Sequence, residues 1–535
     1  MSVIANNPIL PGFFPDPSIC AVGDDFYIVN SSFAYFPGLP VSHSKDLAHW
    51  EIIGNVLDRP SQLPLKDAGH SQGLFAPTIR YNNGVFFVIC TNVSFGGNFI
   101  VTATDPAGPW SEPHYIEGAD GIDPSLFFDE DGKCYYIGTH PNPEGCKYDG
   151  DWYIYIRELD IENFKFIGEA HNVWNGAMKN VIWPEGPHLY KIGEYYYIMH
   201  AEGGTGPSHA ISVARSKEIY GPYENNPNNP ILTHRHLGEK YPIKYVGHGD
   251  LFQTSKGDWY VVMLAVRPAN GYTTMGRESF MARVIFENDW PLVNPGLGVL
   301  SSNLIIDLDE YHSPEGSVLI GCDRIFDFTR MKGLSHEFLM LRNPEEGFYE
   351  FKEGEGLLLN CSEVALTEKK SPSYIGIRQD NHVFEASCVL KSDGLYNGAK
   401  AGLVYIQNNE YYLKLECEGL RVNVILCTKG VEEKLGSVMI AEDSITLLLR
   451  VVGTKAYAFA GTGTKVASIV KDVDISALST EIAGGFVGST IGIYAYDSEK
   501  KDEKVRACFK NLAYRRVMPK PVKQEGAQTE EGKEE

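Results

Sequence analysis

The chain is expected to be all-β, with an N-terminal five-bladed β-propeller followed by a C-terminal β-sandwich. Three observations predict this. Its 535 residues exceed what one ordinary hydrophobic core organises. A polar turn followed by an aromatic and aliphatic strand recurs five times before residue 300. After Asp307 the pattern changes to shorter alternating strands.

The first repeat runs Asp24 to Val29 (DDFYIV), Asn83 to Val88 (NGVFFV), Asp131 to Ile137 (DGKCYYI), Gly193 to Ile198 (GEYYYI) and Lys256 to Val262 (KGDWYVV). Its spacing of roughly fifty to sixty residues suits one four-stranded propeller blade plus loops. About a dozen residues before each aromatic strand stands another short strand with a distinctive opening. The openings are Asp16-Pro17-Ser18-Ile19, Ala76-Pro77-Thr78-Ile79, Asp123-Pro124-Ser125-Leu126, Glu185-Gly186-Pro187-His188-Leu189 and His248-Gly249-Asp250-Leu251. These are expected to be the innermost strands, and equivalent positions of innermost strands point toward one axis. Asp16, Asp123, Glu185 and His248 should therefore converge.

Asp-Pro and Glu-Gly-Pro are also ordinary turn starters, so any one of these openings alone has a structural explanation. Three carboxylates and a histidine in matched phase are harder to explain that way. Gathering like charges costs stability through repulsion and desolvation, and such clusters mark a ligand or a reaction. Glycosidic hydrolysis needs a proton donor for the leaving oxygen and a base that activates water, or a nucleophile, on the opposite face. A third carboxylate nearby can keep the acid protonated and orient it.

GFFPDPSI at Gly12 to Ile19, GIDPSLFFD at Gly121 to Asp129 and EGPHLY at Glu185 to Tyr190 resemble glycoside hydrolase family 43. Within that family the chain is similar to the two-domain β-xylosidase and α-L-arabinofuranosidase branch, over about Asn7 to Val517. The flanks NSSFAYFPGLPVSHSKDLAHWE, FIVTATDPAGPWSEP and AEGGTG strengthen the likeness. The resemblance implies an inverting exo-acting hydrolase that removes terminal xylose or arabinofuranose from xylan- or arabinan-derived oligosaccharides. It makes Asp16 the general base, Glu185 the general acid and Asp123 the residue that tunes and positions the acid.

By the same resemblance Arg277, in Gly276-Arg277-Glu278-Ser279-Phe280, contacts sugar hydroxyls; its plainer alternative is an ion pair with Glu278 or another acid. Phe33 and Phe75 would wall the pocket, with Thr205 close by, or else be ordinary blade packing. Phe75 stands where many β-xylosidases of the family carry tryptophan, which keeps arabinofuranose in contention. His248 matches the family's axial histidine. It is either a hydrogen-bonded structural residue or, through waters, a holder of a divalent cation such as calcium. The chemistry itself implies no cofactor.

Residues 1–307 are assigned to the propeller, 308–322 to a linker, 323–518 to the sandwich and 519–535 to a polar, charged, disordered tail. Sandwich strands are expected at Arg324 to Phe328, Phe348 to Phe351, Val383 to Leu390, Tyr411 to Cys417, Val422 to Cys427 and Ile445 to Val452. The resemblance implies that the sandwich sends a loop over the propeller mouth. Gly485-Phe486-Val487-Gly488 matches that loop, so Phe486 would border the leaving-group subsite; a sandwich-core position is its alternative.

A net charge of −22 excludes nucleic acid and anionic membrane surfaces as partners and suits uncharged oligosaccharides. Met1 to Leu10 lacks a secretory signature, and no segment is apolar for long enough to span a bilayer. Ten scattered cysteines without metal-type pairs read as buried thiols in a reducing cytoplasm. A homo-oligomer is expected on general grounds, without an assigned interface. The competing functions are an endo-arabinanase, which needs an open channel, and a non-catalytic carbohydrate-binding propeller. The invertase and levansucrase group also uses three carboxylates, but with NDPNG, RDP and EC motifs where this chain has PDPS, IDPS and EGPH.

Overall fold

The computed structural model describes residues 2–313, 317–499 and 505–517. The tail at 519–535, and Pro314 to Gly316 within the expected linker, lie outside the described residues. Among those described, helix is confined to one short turn, Thr480–Ala483.

The first half forms five antiparallel four-stranded sheets. Their innermost strands are Ser18–Val22, Thr78–Asn82, Ile122–Phe128, Glu185–Ile192 and Lys244–Gln253. Each packs against the next, and the last returns to the first, so the sheets close into a propeller. The aromatic repeats supply the second strand of every sheet: Asp25–Val29, Val85–Asn92, Cys134–Pro141, Tyr195–Glu202 and Trp259–Val266. These strands are covered on both faces by neighbouring blades, which is why they read as nearly unbroken apolar runs. The seam between the first and last blades, for example, buries Phe26, Ile28, Phe252, Tyr260 and Met281. Beside that seam Val3–Asn6 pairs antiparallel with Asn303–Ile306.

The second half is a sandwich of an eight-stranded and a six-stranded antiparallel sheet among the described residues. Alternation is clean where one sheet faces the other: Phe384, Ala386, Cys388 and Leu390 are buried along Val383–Lys391, as are Ile445, Leu447, Leu449 and Val451 along Ser444–Val452. The sequence reading missed several strands, among them Val431–Met439 and Lys465–Asp474, whose surfaces are largely exposed and polar.

The two halves share one apolar cluster, in which Leu57, Leu63 and Leu74 of the propeller join Phe338, Met340 and Ile377 of the sandwich. Tyr35–Phe36 pairs with Met340–Leu341 across the boundary, and Arg378 Nε donates to the Phe13 carbonyl at 2.8 Å. Contact is close enough that a Cβ on Gly12, at φ 93°, would sit 2.3 Å from the Gln379 carbonyl oxygen. The expected linker is also tied down: Tyr311 N donates to Asp46 at 2.9 Å and Ile320 N to the Trp50 carbonyl at 2.8 Å.

Candidate active site

The leading ends of the innermost strands are locally distorted. Register shifts interrupt pairing between Ile122 and Ser125, between Glu185 and His188, and on both sides of Gly247. Asp16, Asp123 and His248 all adopt left-handed backbone, with φ of 50°, 54° and 53°. A bulge re-aims the side chain it carries, and non-glycine residues at positive φ are kept where the surroundings force them. The Asp-Pro and His-Gly openings are therefore more than turn starters.

These distortions bring the predicted cluster together. Asp16, Asp123, Glu185 and His248 line one cavity of about 280 Å³, and so do Arg277, Phe33, Phe75, Thr205 and Phe486. That volume is below the range usual for drug-sized ligands and suits a single sugar ring. Asp16 is buried and receives Arg277 Nη1 at 2.7 Å and Nη2 at 3.3 Å, with Ser31 Oγ donating to Oδ2 at 2.5 Å. Its Oδ1 also lies 3.7 Å from His248 Nδ1. Arg277 does not pair with Glu278; Glu278 is held instead by Arg267, at 2.8 and 2.7 Å, and by the Gly12 amide.

Asp123 accepts the Gly186 amide at 3.1 Å, next to Glu185 in the chain. Burial pushes the Asp123 carboxyl up to about 6; His248, the Gly186 amide and Arg277 oppose the rise and the charge of Asp16 adds to it. Burial, then the negative charges of Asp123 and Asp16, holds Glu185 well above the usual carboxylate range against the pull of Arg277. Glu185 is thus the group of the cluster suited to carry a proton at neutral pH.

Three aromatic rings box the cavity. Phe33 stacks on Phe486 at 5.9 Å, and Phe75 meets Phe33 and Phe486 edge-on at 5.4 and 6.1 Å. The Arg277 guanidinium lies over both Phe33 and Phe486, 5.7 and 5.5 Å from the ring centres. Phe486 comes from the sandwich, its amide held by Ser71 Oγ at 2.8 Å, and it is 38% exposed rather than buried in the sandwich core.

Further along the innermost strands, Arg80 donates to Asp250 at 2.8 and 3.1 Å and to His188 Nδ1 at 2.8 Å. Among the described residues no three His, Cys, Asp or Glu side chains gather as a metal-binding set. No step below passes through a cation.

Trp152, Trp183 and His209 also line the cavity and were not singled out in the sequence. Trp183 stands two residues before Glu185, and His209 three residues past the AEGGTG flank. Only that proximity to recognised motifs marked them.

Residues 5–291 match the family described as Glycosyl hydrolases family 43. The chain belongs to that family. Residues 326–515 match the β-xylosidase C-terminal concanavalin A-like domain that accompanies it. A xylosidase/arabinosidase of Butyrivibrio fibrisolvens is 49% identical over 94% of this chain and 97% of its own length. A non-reducing end α-L-arabinofuranosidase of Bacteroides ovatus is 38% identical over 91% of this chain and 90% of its own. Among solved structures, a xylan β-1,4-xylosidase from Bacillus halodurans superposes with a TM-score of 0.86 at 31% identity, covering 96% of this chain and all of the other. As a family 43 member the protein is a glycoside hydrolase acting on O-glycosyl bonds, built as a propeller with a concanavalin-like sandwich.

Proposed function

We propose that this family 43 enzyme is an inverting exo-glycosidase that releases terminal α-L-arabinofuranosyl or β-D-xylosyl residues from xylan- or arabinan-derived oligosaccharides. The observation that carries the reading is a carboxyl raised well above its usual range, Glu185, sharing a one-sugar cavity with Asp16 and its arginine partner.

Asp16 takes a proton from a water molecule, whose oxygen forms the new bond to the anomeric carbon. The glycosidic bond breaks toward its oxygen, which takes the Glu185 proton. Asp16 ends protonated and Glu185 ionised, and exchange with solvent restores both. Attack from the face opposite the leaving group inverts the anomeric centre. Asp123 raises the proton affinity of Glu185 by its charge, and Arg277 fixes the direction of Asp16. The aromatic box limits the cavity to a terminal sugar, which favours exo action over the open groove that endo-arabinanase activity requires. Ten scattered cysteines, most of them buried, support a reducing cytoplasm as the setting.

Release rates from aryl β-D-xylopyranoside and aryl α-L-arabinofuranoside, measured side by side with an Asp16→Ala control, test the reading. Comparable rates abolished in the control support one dual-specificity pocket, and a large preference names the sugar. No release of either by the parent enzyme sinks the proposal in favour of a binding propeller.

A further inference from the structure

His209 precedes the strand Ala210–Ser216 in the fourth blade and is 1% exposed, although it lines the catalytic cavity. Its backbone is fixed at both ends: the amide donates to the Gly206 carbonyl at 3.1 Å, and the carbonyl accepts Thr233 Oγ1 at 2.8 Å. The ring is clamped as well. A Cβ on Gly247 would fall 2.3 Å from ring atoms Cε1 and Nε2, so the imidazole lies flush against that backbone. Nδ1 stands 2.9 Å from the Tyr245 carbonyl oxygen. A carbonyl only accepts, so Nδ1 carries the hydrogen. Burial pushes the ring down to about 4, which leaves it neutral and Nε2 a bare acceptor.

Nε2 is buried and has no partner in the protein. The same holds for Thr205 Oγ1 and Arg277 Nε, on residues of the same cavity. A buried acceptor left unpaired is costly, and such groups are retained where something else completes them. Of the three atoms, the histidine nitrogen is the one that can only accept, whereas the guanidinium nitrogen can only donate.

We propose that Nε2 of His209 accepts a hydrogen bond from one hydroxyl of the terminal sugar, making His209 a specificity-determining residue that admits sugars unsubstituted at that hydroxyl. This deepens the proposed function and rests on it. An ester or ether at the position read has no hydrogen to give and leaves the nitrogen unpaired.

The test compares kcat/KM for an aryl pentoside with its single-deoxy and single-O-methyl analogues, position by position, in the parent enzyme, His209→Asn and His209→Gln. Asparagine keeps a donor for the Tyr245 carbonyl and vacates the Nε2 position, whereas glutamine restores an acceptor near it. In the parent, one position should be intolerant, with both analogues falling about tenfold or more. In His209→Asn the unmodified sugar should fall to the level of its deoxy analogue, and His209→Gln should recover part of the discrimination. Full discrimination surviving in His209→Asn, or a parent indifferent at every position, overturns the proposal. Calorimetric binding of free xylose, arabinose and their deoxy forms to the parent gives the same contrast without turnover. Failure to hydrolyse any pentoside is thereby separated from failure of the histidine to read one, and equal binding of all forms overturns the proposal even if a variant does not fold.

Discussion

Asp123 accepts the Gly186 amide at 3.1 Å, so the carboxylate that raises the proton affinity of Glu185 is tethered to the residue beside it. The tether spans two blades, and a change at Asp123 acts on both the charge and the position of the acid.

Asp123→Asn should shift the alkaline limb of the kcat/KM profile to lower pH, because removing a negative charge lets Glu185 lose its proton sooner. The same variant should be more stable than the parent at pH 7. The folded-state pKa of Asp123, about 6, exceeds the ordinary aspartate value of 3.8, so the native state holds this proton more tightly than the unfolded chain. That stabilisation is complete below about pH 4 and is lost as pH rises through about 6, an effect of order 1–3 kcal/mol. Thermal melts of parent and variant at pH 4 and pH 7 check it: a gap between them that does not widen with pH contradicts the sign.

Glu185→Ala should lower turnover of natural oligosaccharides by about 10²–10⁴-fold, and that of an aryl glycoside with a good leaving group far less. Equal losses on both substrates would remove Glu185 from the role of acid.

Arg277→Ala should reduce kcat/KM about a hundredfold or more, and Arg277→Lys should recover little of it. The planar fork bonds both Asp16 oxygens and lies over two phenylalanine rings, which a single ammonium cannot do. Steady-state kinetics with a melting curve on each variant distinguishes lost catalysis from lost fold.

Much of this site could be read before any coordinates. The five aromatic strands announced themselves because each is covered on both faces, and the openings at Asp16, Asp123 and Glu185 because they recur in phase with those strands. Phe486 was reached only through resemblance, since nothing local in GGFVG says that the segment leaves its sandwich. His209 and Trp183 were missed because loops bring them to the cavity without periodicity, and Trp152 because it opens the third strand of its blade, outside the repeated openings. The pairing of Arg80 with Asp250 was missed because it joins residues 170 positions apart. Strands such as Val431–Met439 escaped notice because backbone pairing, more than burial, defines them.

Phe486→Ala should raise KM for aryl pentosides about tenfold and weaken inhibition by free pentose, with a smaller effect on kcat. The ring contributes two aromatic contacts and one guanidinium contact at the cavity but is partly exposed, so the fold should tolerate its loss. Unchanged KM and inhibition would place the ring outside the sugar's reach.

The loop bearing Phe486 also makes the two halves of the chain heritable only as a pair. A propeller recombined with a foreign sandwich would keep its three carboxylates and lose a wall of the room they work in. A lesion that displaced this loop would surface as an altered appetite for sugars. Gly276 and Gly488 meet where the loop crosses, with a Cβ on the former falling 2.7 Å from the Cα of the latter. That crossing is a joint without slack, where one added methyl group on either side would be felt in the choice of substrate.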